Sequence, residues 1–341
     1  METPLATFRR EFQSLLLDFL WRQWSALGVA GQARPEDRWV LDPEALLLFT
    51  CTLGRHDPRL FDEVLDWLAI NGRFLNVTRL KRMVRLEEFS GGQVLAAVAA
   101  SLAKGTETLK WKQLAGRETG TVGPAVERLF FAPEGKPLPV LGEPEPDFLS
   151  RGFERGPVRR RGYSQPFPAT LNAGLGLQLR ALFGVTARCE ILLYLLTHES
   201  AHPSVIARDA GYFPRAIQDT LVDMQQSGVV QLRPIGRTKH YWLHADQWLA
   251  LLGRAAQPPP QWVTWAPFFS ALEQIWLALG DEELLRLRDP LLLASEVRRL
   301  QAQVRPALQR AGFDKGLSDE RNYLGESYLP VFLGDLRRCL L

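Results

Sequence analysis

Cysteine is scarce in this chain: Cys51, Cys189 and Cys339 are the only three, and they lie far apart. That count and spacing exclude a disulfide framework or a zinc-finger array, and two of the three fall in apolar helical patterns that suit a reduced, buried thiol. Long uncharged runs are also missing. The longest, near Phe89 to Ala103 and Ala255 to Leu272, are broken by Gly91-Gly92 and by Pro258-Pro259-Pro260, so neither reads as a membrane span and no membrane partner is expected. The N-terminus lacks a secretory pattern, because Arg9, Arg10, Glu11 and Asp18 interrupt its apolar positions as they do in an amphipathic helix. A cytoplasmic protein is the expectation. Net charge is small as well, +3, which by itself argues for no nucleic-acid partner.

What is present is a long chain with much to bury. At 341 residues, 46% of them hydrophobic, it exceeds one ordinary core and predicts several folded domains. Apolar residues recur at helical spacing over Phe12 to Trp24, Pro43 to Leu53, Pro58 to Ile70 and Val94 to Leu102. Asp42-Pro43 and Asp57-Pro58 each set a capping carboxylate before a proline at the first helical position. Residues 1–131 therefore read as a helical domain. From Ala132 to Pro168 the composition shifts to eight prolines with many glycines and charges, which predicts a linker or arm over 132–168. Ala245 to Leu252 at the end of a middle segment, and Phe268 to Leu279, Leu291 to Arg310 and Tyr328 to Leu341 beyond it, read as helices, and 255–341 as a C-terminal helical domain. The ten tryptophans are mostly core candidates, with a few free to line a pocket.

The middle segment, 169–254, has the most specific order. An apolar helix, Arg188 to Thr197, is followed by a Pro-started helix, Pro203 to Ala210, a turn at Gly211, and a third helix from Pro214 to Ser227-Gly228. An apolar strand Val229 to Leu232, a turn at Gly236-Arg237-Thr238-Lys239 and a strand His240 to Leu243 would form a hairpin. In the third helix Ile217, Leu221 and Met224 share one face, which leaves Arg215, Gln218, Asp219 and Val222 outward. A helix fits the major groove of B-form DNA, where Arg215 can bond guanine, Gln218 adenine, and Asp219 a cytosine amino group or Arg215 itself. Arg208 precedes the turn, and Tyr212 within it could reach a phosphate. Arg237, Thr238 and Lys239 at the wing would meet the neighbouring backbone or minor groove.

Three stretches carry a resemblance: Val205-Ile206-Ala207-Arg208 before the turn, Ile217 and Leu221 through Gly228-Val229-Val230, and Gly236-Arg237-Thr238-Lys239-His240-Tyr241-Trp242-Leu243. Over about 60 residues the segment resembles the winged helix-turn-helix of bacterial regulators of the arsenic-repressor and multiple-antibiotic-resistance-regulator type. The fold class implied is mainly α with a small β-wing, a central winged helix-turn-helix flanked by helical domains. The function implied is sequence-specific binding of double-stranded DNA by a transcription regulator, a repressor acting as a homodimer. Asp219 and Asp223 depart from the pattern, since carboxylates on the third helix repel phosphate.

Two basic stretches could assist. Arg151, Arg155, Arg159, Arg160 and Arg161 face only Glu154 and would make a flexible arm along the DNA backbone, or a solvated linker. A weak internal echo sets Leu46 twelve residues before Pro58 and Ile191 twelve before Pro203. In the first copy Arg79, Lys81, Arg82 and Arg85 would form either a degenerate second reading helix or, more simply, a solvated basic face.

A rival chemistry is written in His198-Glu199-Ser200-Ala201-His202, the H-E-x-x-H pattern of zinc hydrolases. Pro203 disfavours helical geometry at His202, and no glutamate follows before Ser270 to serve as a third ligand. A loop between two helices is the plainer reading. Gly91-Gly92, Gly174-Leu175-Gly176 and the Gly120 to Gly123 segment lack the partners of a phosphate loop, and Asp62, Glu63 and Asp66 read as a solvated acidic stripe. No catalytic residue, metal or cofactor is expected. A protein-interaction module, such as an antitoxin-like regulator with a partner encoded nearby, is the alternative to DNA binding, and Leu291 to Leu308 with Tyr328 to Leu340 are the expected dimer or sensing surfaces.

Overall fold

The computed structural model describes residues 4–31, 33–35, 37–104, 108–116, 126–313 and 316–340. The Gly120 to Gly123 turn lies outside them. Six helices come first: α1 (Pro4–Ala26), α2 (Pro43–Leu53), α3 (Pro58–Asn71), α4 (Val77–Leu86), α5 (Gly92–Leu102) and α6 (Thr108–Ala115). The two Asp-Pro starts form as expected. Asp42 accepts from the amides of Glu44 and Ala45, and Asp57 from those of Arg59 and Leu60.

The Pro- and Arg-rich stretch is not a free linker. Helix α7 (Pro146–Leu149) and strand β2 (Phe153–Glu154) punctuate it, and β2 pairs in parallel with strand β1 (Glu127–Arg128), which lies just before the stretch. Phe148 and Phe153 are buried. The acidic stripe of α3 is not merely solvated, because it anchors this stretch: Asp62 takes the buried Arg155 at 2.7 Å, Arg161 lies 3.8 Å from Glu63, and Asp66 accepts from the amides of Gly162 and Ser164. Composition suggested a linker or arm because it counts prolines and charges. It does not show that one helix supplies the matching carboxylates.

A second group of elements comes next: α8 (Leu175–Phe183), α9 (Ala187–Thr197), α10 (Pro203–Asp209), α11 (Pro214–Gln226), the antiparallel strands β3 (Gln231–Ile235) and β4 (Thr238–Trp242), and α12 (Ala245–Leu251). The hairpin turn is tighter than the sequence suggested, a two-residue loop of Gly236 and Arg237, so Thr238 and Lys239 belong to β4. Gly236, at φ +59°, satisfies the glycine-first demand of such a turn. Gly211 plays the same part between α10 and α11 at φ +69°. Ile217, Leu221 and Met224 pack inward on Leu192, Ile206, Val230 and Tyr241, in a core separate from that of the preceding helices.

The chain closes with α13 (Trp265–Ala278), α14 (Glu282–Arg286), α15 (Pro290–Ala311) and α16 (Tyr328–Leu340). These do not make a domain of their own. Both α2 and α13 are apolar nearly all round, and a helix without a polar face must be enclosed. Each encloses the other: Phe49 stacks on Phe269 at 5.0 Å, Phe19 of α1 meets Phe268 and Phe269, and Trp265 donates to the carbonyl of Val40 at 2.7 Å. One core thus runs from Leu5 to Leu340, and the second core is inserted between its two halves. The inner faces of α15 and α16 are spent in that core through Leu293, Val297, Val304, Tyr328, Phe332 and Leu336, which removes most of the dimer surface expected there. Trp24 and Trp67 are core residues too, edge to face at 5.2 Å with both indole N–H groups bonded. No described helix is long and apolar enough to cross a membrane.

Candidate nucleic-acid interface

The outward side of α11 is bare. Arg215, Gln218, Asp219, Val222 and Asp223 are all exposed, while their inward neighbours at helical spacing are buried. Arg215 donates through Nε to Asp219 at 2.8 Å, one turn on, with the two side chains 87% and 57% exposed. Exposed pairs of this kind contribute at most about 1 kcal/mol, so the guanidinium can exchange its partner. Arg188 lies 3.5 Å from Asp223 in the same way. At the hairpin Arg237 and Lys239 are exposed, whereas the Thr238 hydroxyl is used locally, bonding the carbonyl of Ile235 at 2.8 Å. Arg208 is exposed and paired with Asp209, which holds its guanidinium above the usual value.

Tyr212 is placed differently from expectation. Its hydroxyl lies 2.6 Å from Asn76 Nδ2, which donates to it, and burial near Glu190 pushes its ionisation up, so it ties the turn to α4 and is not free to reach a phosphate.

The basic face of α4 is also divided. Arg79 is buried: its Nε donates to the carbonyl of Ala210 at 2.6 Å, and its two other nitrogens bond Asp42 and Glu44. A lone arginine at that depth would be prohibitive, and these two carboxylates explain its place. Lys81 donates to the carbonyl of Gln113. Only Arg82 and Arg85 of that set remain for a partner. Three helices do recur in the order of the echo, but α4 is followed by α5 and not by a hairpin, and its inner face is closed, so it is no second reading helix.

The arginine arm divides likewise. Arg155 is buried on Asp62, Arg160 reaches the carbonyl of Ser101, and Arg159 and Arg161 are exposed, Arg161 lying 3.8 Å from Glu63 of α3. Arg151 is half-buried and within reach of the Gly116 carbonyl. Arg155, Arg160 and Arg151 thus tie the stretch to the body, which corrects the picture of a flexible arm.

Sequence reasoning missed the network that holds α11 in place. Glu44 is fully buried, accepts from the Asn76 amide, and bonds both Arg79 and Arg180; Arg180 in turn bonds Glu190 through two nitrogens and the carbonyl of Phe74. Burial alone would raise the Asp42 carboxyl, but the Arg79 guanidinium overrides it and lowers it to about 2. The signal was a charge inside each apolar run, Glu44 in α2 and Glu190 in α9.

The H-E-x-x-H residues do not share a helix. His198 ends α9, its ring stacked on Tyr194 at 3.9 Å and its Nδ1 on the Tyr194 carbonyl, while His202 caps α10 through Ser204. Between them Ala201 exchanges two backbone bonds with Tyr241, an extended geometry that separates the imidazoles. Glu199 pairs with Arg233 of β3. Among the described residues no group of three His, Cys, Asp or Glu is placed to hold a metal.

Compared with protein-family models, with curated proteins and with solved structures, the chain matches none.

Proposed function

We propose that α9, α10, α11 and the β3–β4 hairpin form a winged helix-turn-helix and that the protein is a sequence-specific, double-stranded DNA-binding regulator of transcription, a cytoplasmic repressor. One observation carries this reading: the outward face of α11 is uncovered by any other described part of the chain and presents Arg215 and Gln218 beside a hairpin tipped with Arg237 and Lys239. In the proposed complex Arg215 leaves Asp219 to bond a guanine edge, Gln218 bonds adenine, and the hairpin lies on the backbone. Asp219 then penalises steps that lack an amino donor, which adds selectivity at the expense of affinity.

A homodimer belongs to the same proposal, since one winged helix reads a short site and two read half-sites about one turn apart. The surface that suits a second copy is the apolar edge of Leu182, Phe183 and Leu251, exposed by 60%, 43% and 73%, with Phe183 against Trp248 at 6.1 Å. Selecting bound fragments from genomic DNA with wild type and Arg215→Ala tests the reading. An enriched sequence that the variant no longer selects is expected, and no enrichment with wild type would overturn it.

A second reading has its own support. Phe213, Val222, Val229, Leu232 and Ile235 are exposed around α11, and with Asp219 and Asp223 they suit a protein partner better than phosphate. In that case the module serves an antitoxin-like regulator, and the selection returns nothing.

A further inference from the structure

Helix α4 touches the turn between α10 and α11 through Asn76 at its N-cap and through Arg79, Arg82 and Met83. Asn76 bonds Tyr212, Arg79 bonds Ala210, a Cβ on Gly211 would sit 3.6 Å from Met83, and the Arg82 guanidinium lies 4.1 Å from the centre of the Phe213 ring. Phe213 is the residue that caps α11, and Arg215 comes two positions later. The next turn of α4 brings Arg85, which is exposed. Neither Arg82 nor Arg85 is held by a carboxylate among the described residues, and Arg82 Nε is buried there without a hydrogen-bond partner. The nearby Glu87 is taken by Arg310 at 2.6 Å, and Glu88 is the one open acid at the end of the helix.

We infer that Arg82 and Arg85 of α4 form a phosphate clamp for the same duplex that α11 reads, extending the contact from the inserted unit onto the helical body. The inference rests on the reading of α11 as a major-groove helix. Charge complementarity selects the phosphodiester backbone: two unpaired guanidiniums at i and i+3 border the end of α11 that would enter the groove, where the flanking strand must pass. A guanidinium over a ring face keeps its terminal in-plane N–H groups for a phosphate even with Nε buried. Rigidity supports the assignment, because the buried Arg79, Glu44 and Arg180 bonds fix α4 to the turn and leave little ordering cost on binding. Contact from the body also gives a protein of small net charge a local basic strip where it is needed.

The test is the salt dependence of binding to a mixed-sequence duplex of about 30 base pairs, with the full chain, between about 50 and 200 mM salt. Each lost phosphate contact lowers the slope of log affinity against log salt by about 0.9. Arg82→Gln with Arg85→Gln should reduce it by about 2 units, Arg85→Gln alone by about 1, and the corresponding lysine pair should restore it. Arg85→Gln touches no packed contact, so a folding failure of the double variant leaves the single one decisive. An unchanged slope in that variant, with Arg237→Ala losing its own unit, overturns the clamp and leaves the α11 reading intact. Wild type that fails to bind the duplex overturns both.

Discussion

Arg79 of α4 donates its Nε–H to the carbonyl of Ala210 at 2.6 Å, across 131 positions of sequence, and so pins the turn of the inserted unit to the body of the protein. The same guanidinium neutralises Asp42 and Glu44. Arg79→Ala should therefore destabilise the fold by about 3–5 kcal/mol, the cost of taking the one side-chain cation from part-buried Asp42 and leaving buried Glu44 with Arg180 alone. Denaturant unfolding measures it, and a loss under about 1 kcal/mol would show the network to be dispensable.

Base recognition and backbone contact should separate. Arg215→Ala should weaken selected sites by about 1–3 kcal/mol and relax base preference, whereas Arg237→Ala should weaken all sequences alike and flatten the salt slope by about one unit. Equal, unselective losses in both variants would remove α11 from the groove.

Arg155 should matter to stability and not to DNA. It is buried against Asp62 and lies over the rings of Phe130 and Phe148. Arg155→Ala should cost about 1–3 kcal/mol of stability with an unchanged salt slope in DNA binding. A lowered slope at wild-type stability would restore the flexible-arm picture.

Acid should weaken the body through His56. Burial, with Arg55 and Arg9 nearby, lowers this imidazole to about 4. The unfolded chain binds its proton near pH 6.5 and the folded chain only near 4, so the unfolded state holds more protons between those values. Stability from this group is complete above about pH 6.5 and falls as pH drops towards 4, by about 3 kcal/mol. Thermal melts of His56→Gln across that window should show a shallower pH dependence than wild type; parallel curves would contradict the assignment.

Self-association should depend on the exposed apolar edge. Phe183→Glu with Leu251→Glu should give a monomer by sedimentation without loss of helical signal, since neither side chain is buried in a core. A monomeric wild type, or an unaffected dimer, would remove this edge from the interface.

Local structure was legible where local rules suffice. Asp42-Pro43 and Asp57-Pro58 specify helix starts because a short carboxylate side chain finds the free amides whatever surrounds it. Ile217, Leu221 and Met224 declared the buried face of α11 by spacing alone, and the exposure of Arg215 and Gln218 comes from the same periodicity. Gly236 announced the hairpin, though the tight two-residue loop placed Thr238 and Lys239 in a strand.

Charges were legible only as charges. Among Arg79, Lys81, Arg82 and Arg85, spacing showed that some face outward but not that Asp42 and Glu44 would draw Arg79 inside. The arginines from Arg151 to Arg161 looked like a free arm because their partners, Asp62 for Arg155, Glu63 for Arg161 and the Ser101 carbonyl for Arg160, stand far earlier in the chain on other helices. The helix pattern, the caps and the outward residues of α11 are properties of short windows, and the amino-acid order determined them through backbone hydrogen bonding and periodicity. Which apolar helices would enclose one another, α2 and α13 across the inserted unit, and which arginines would be buried, only the tertiary structure decided, because both depend on partners that chain order does not bring near.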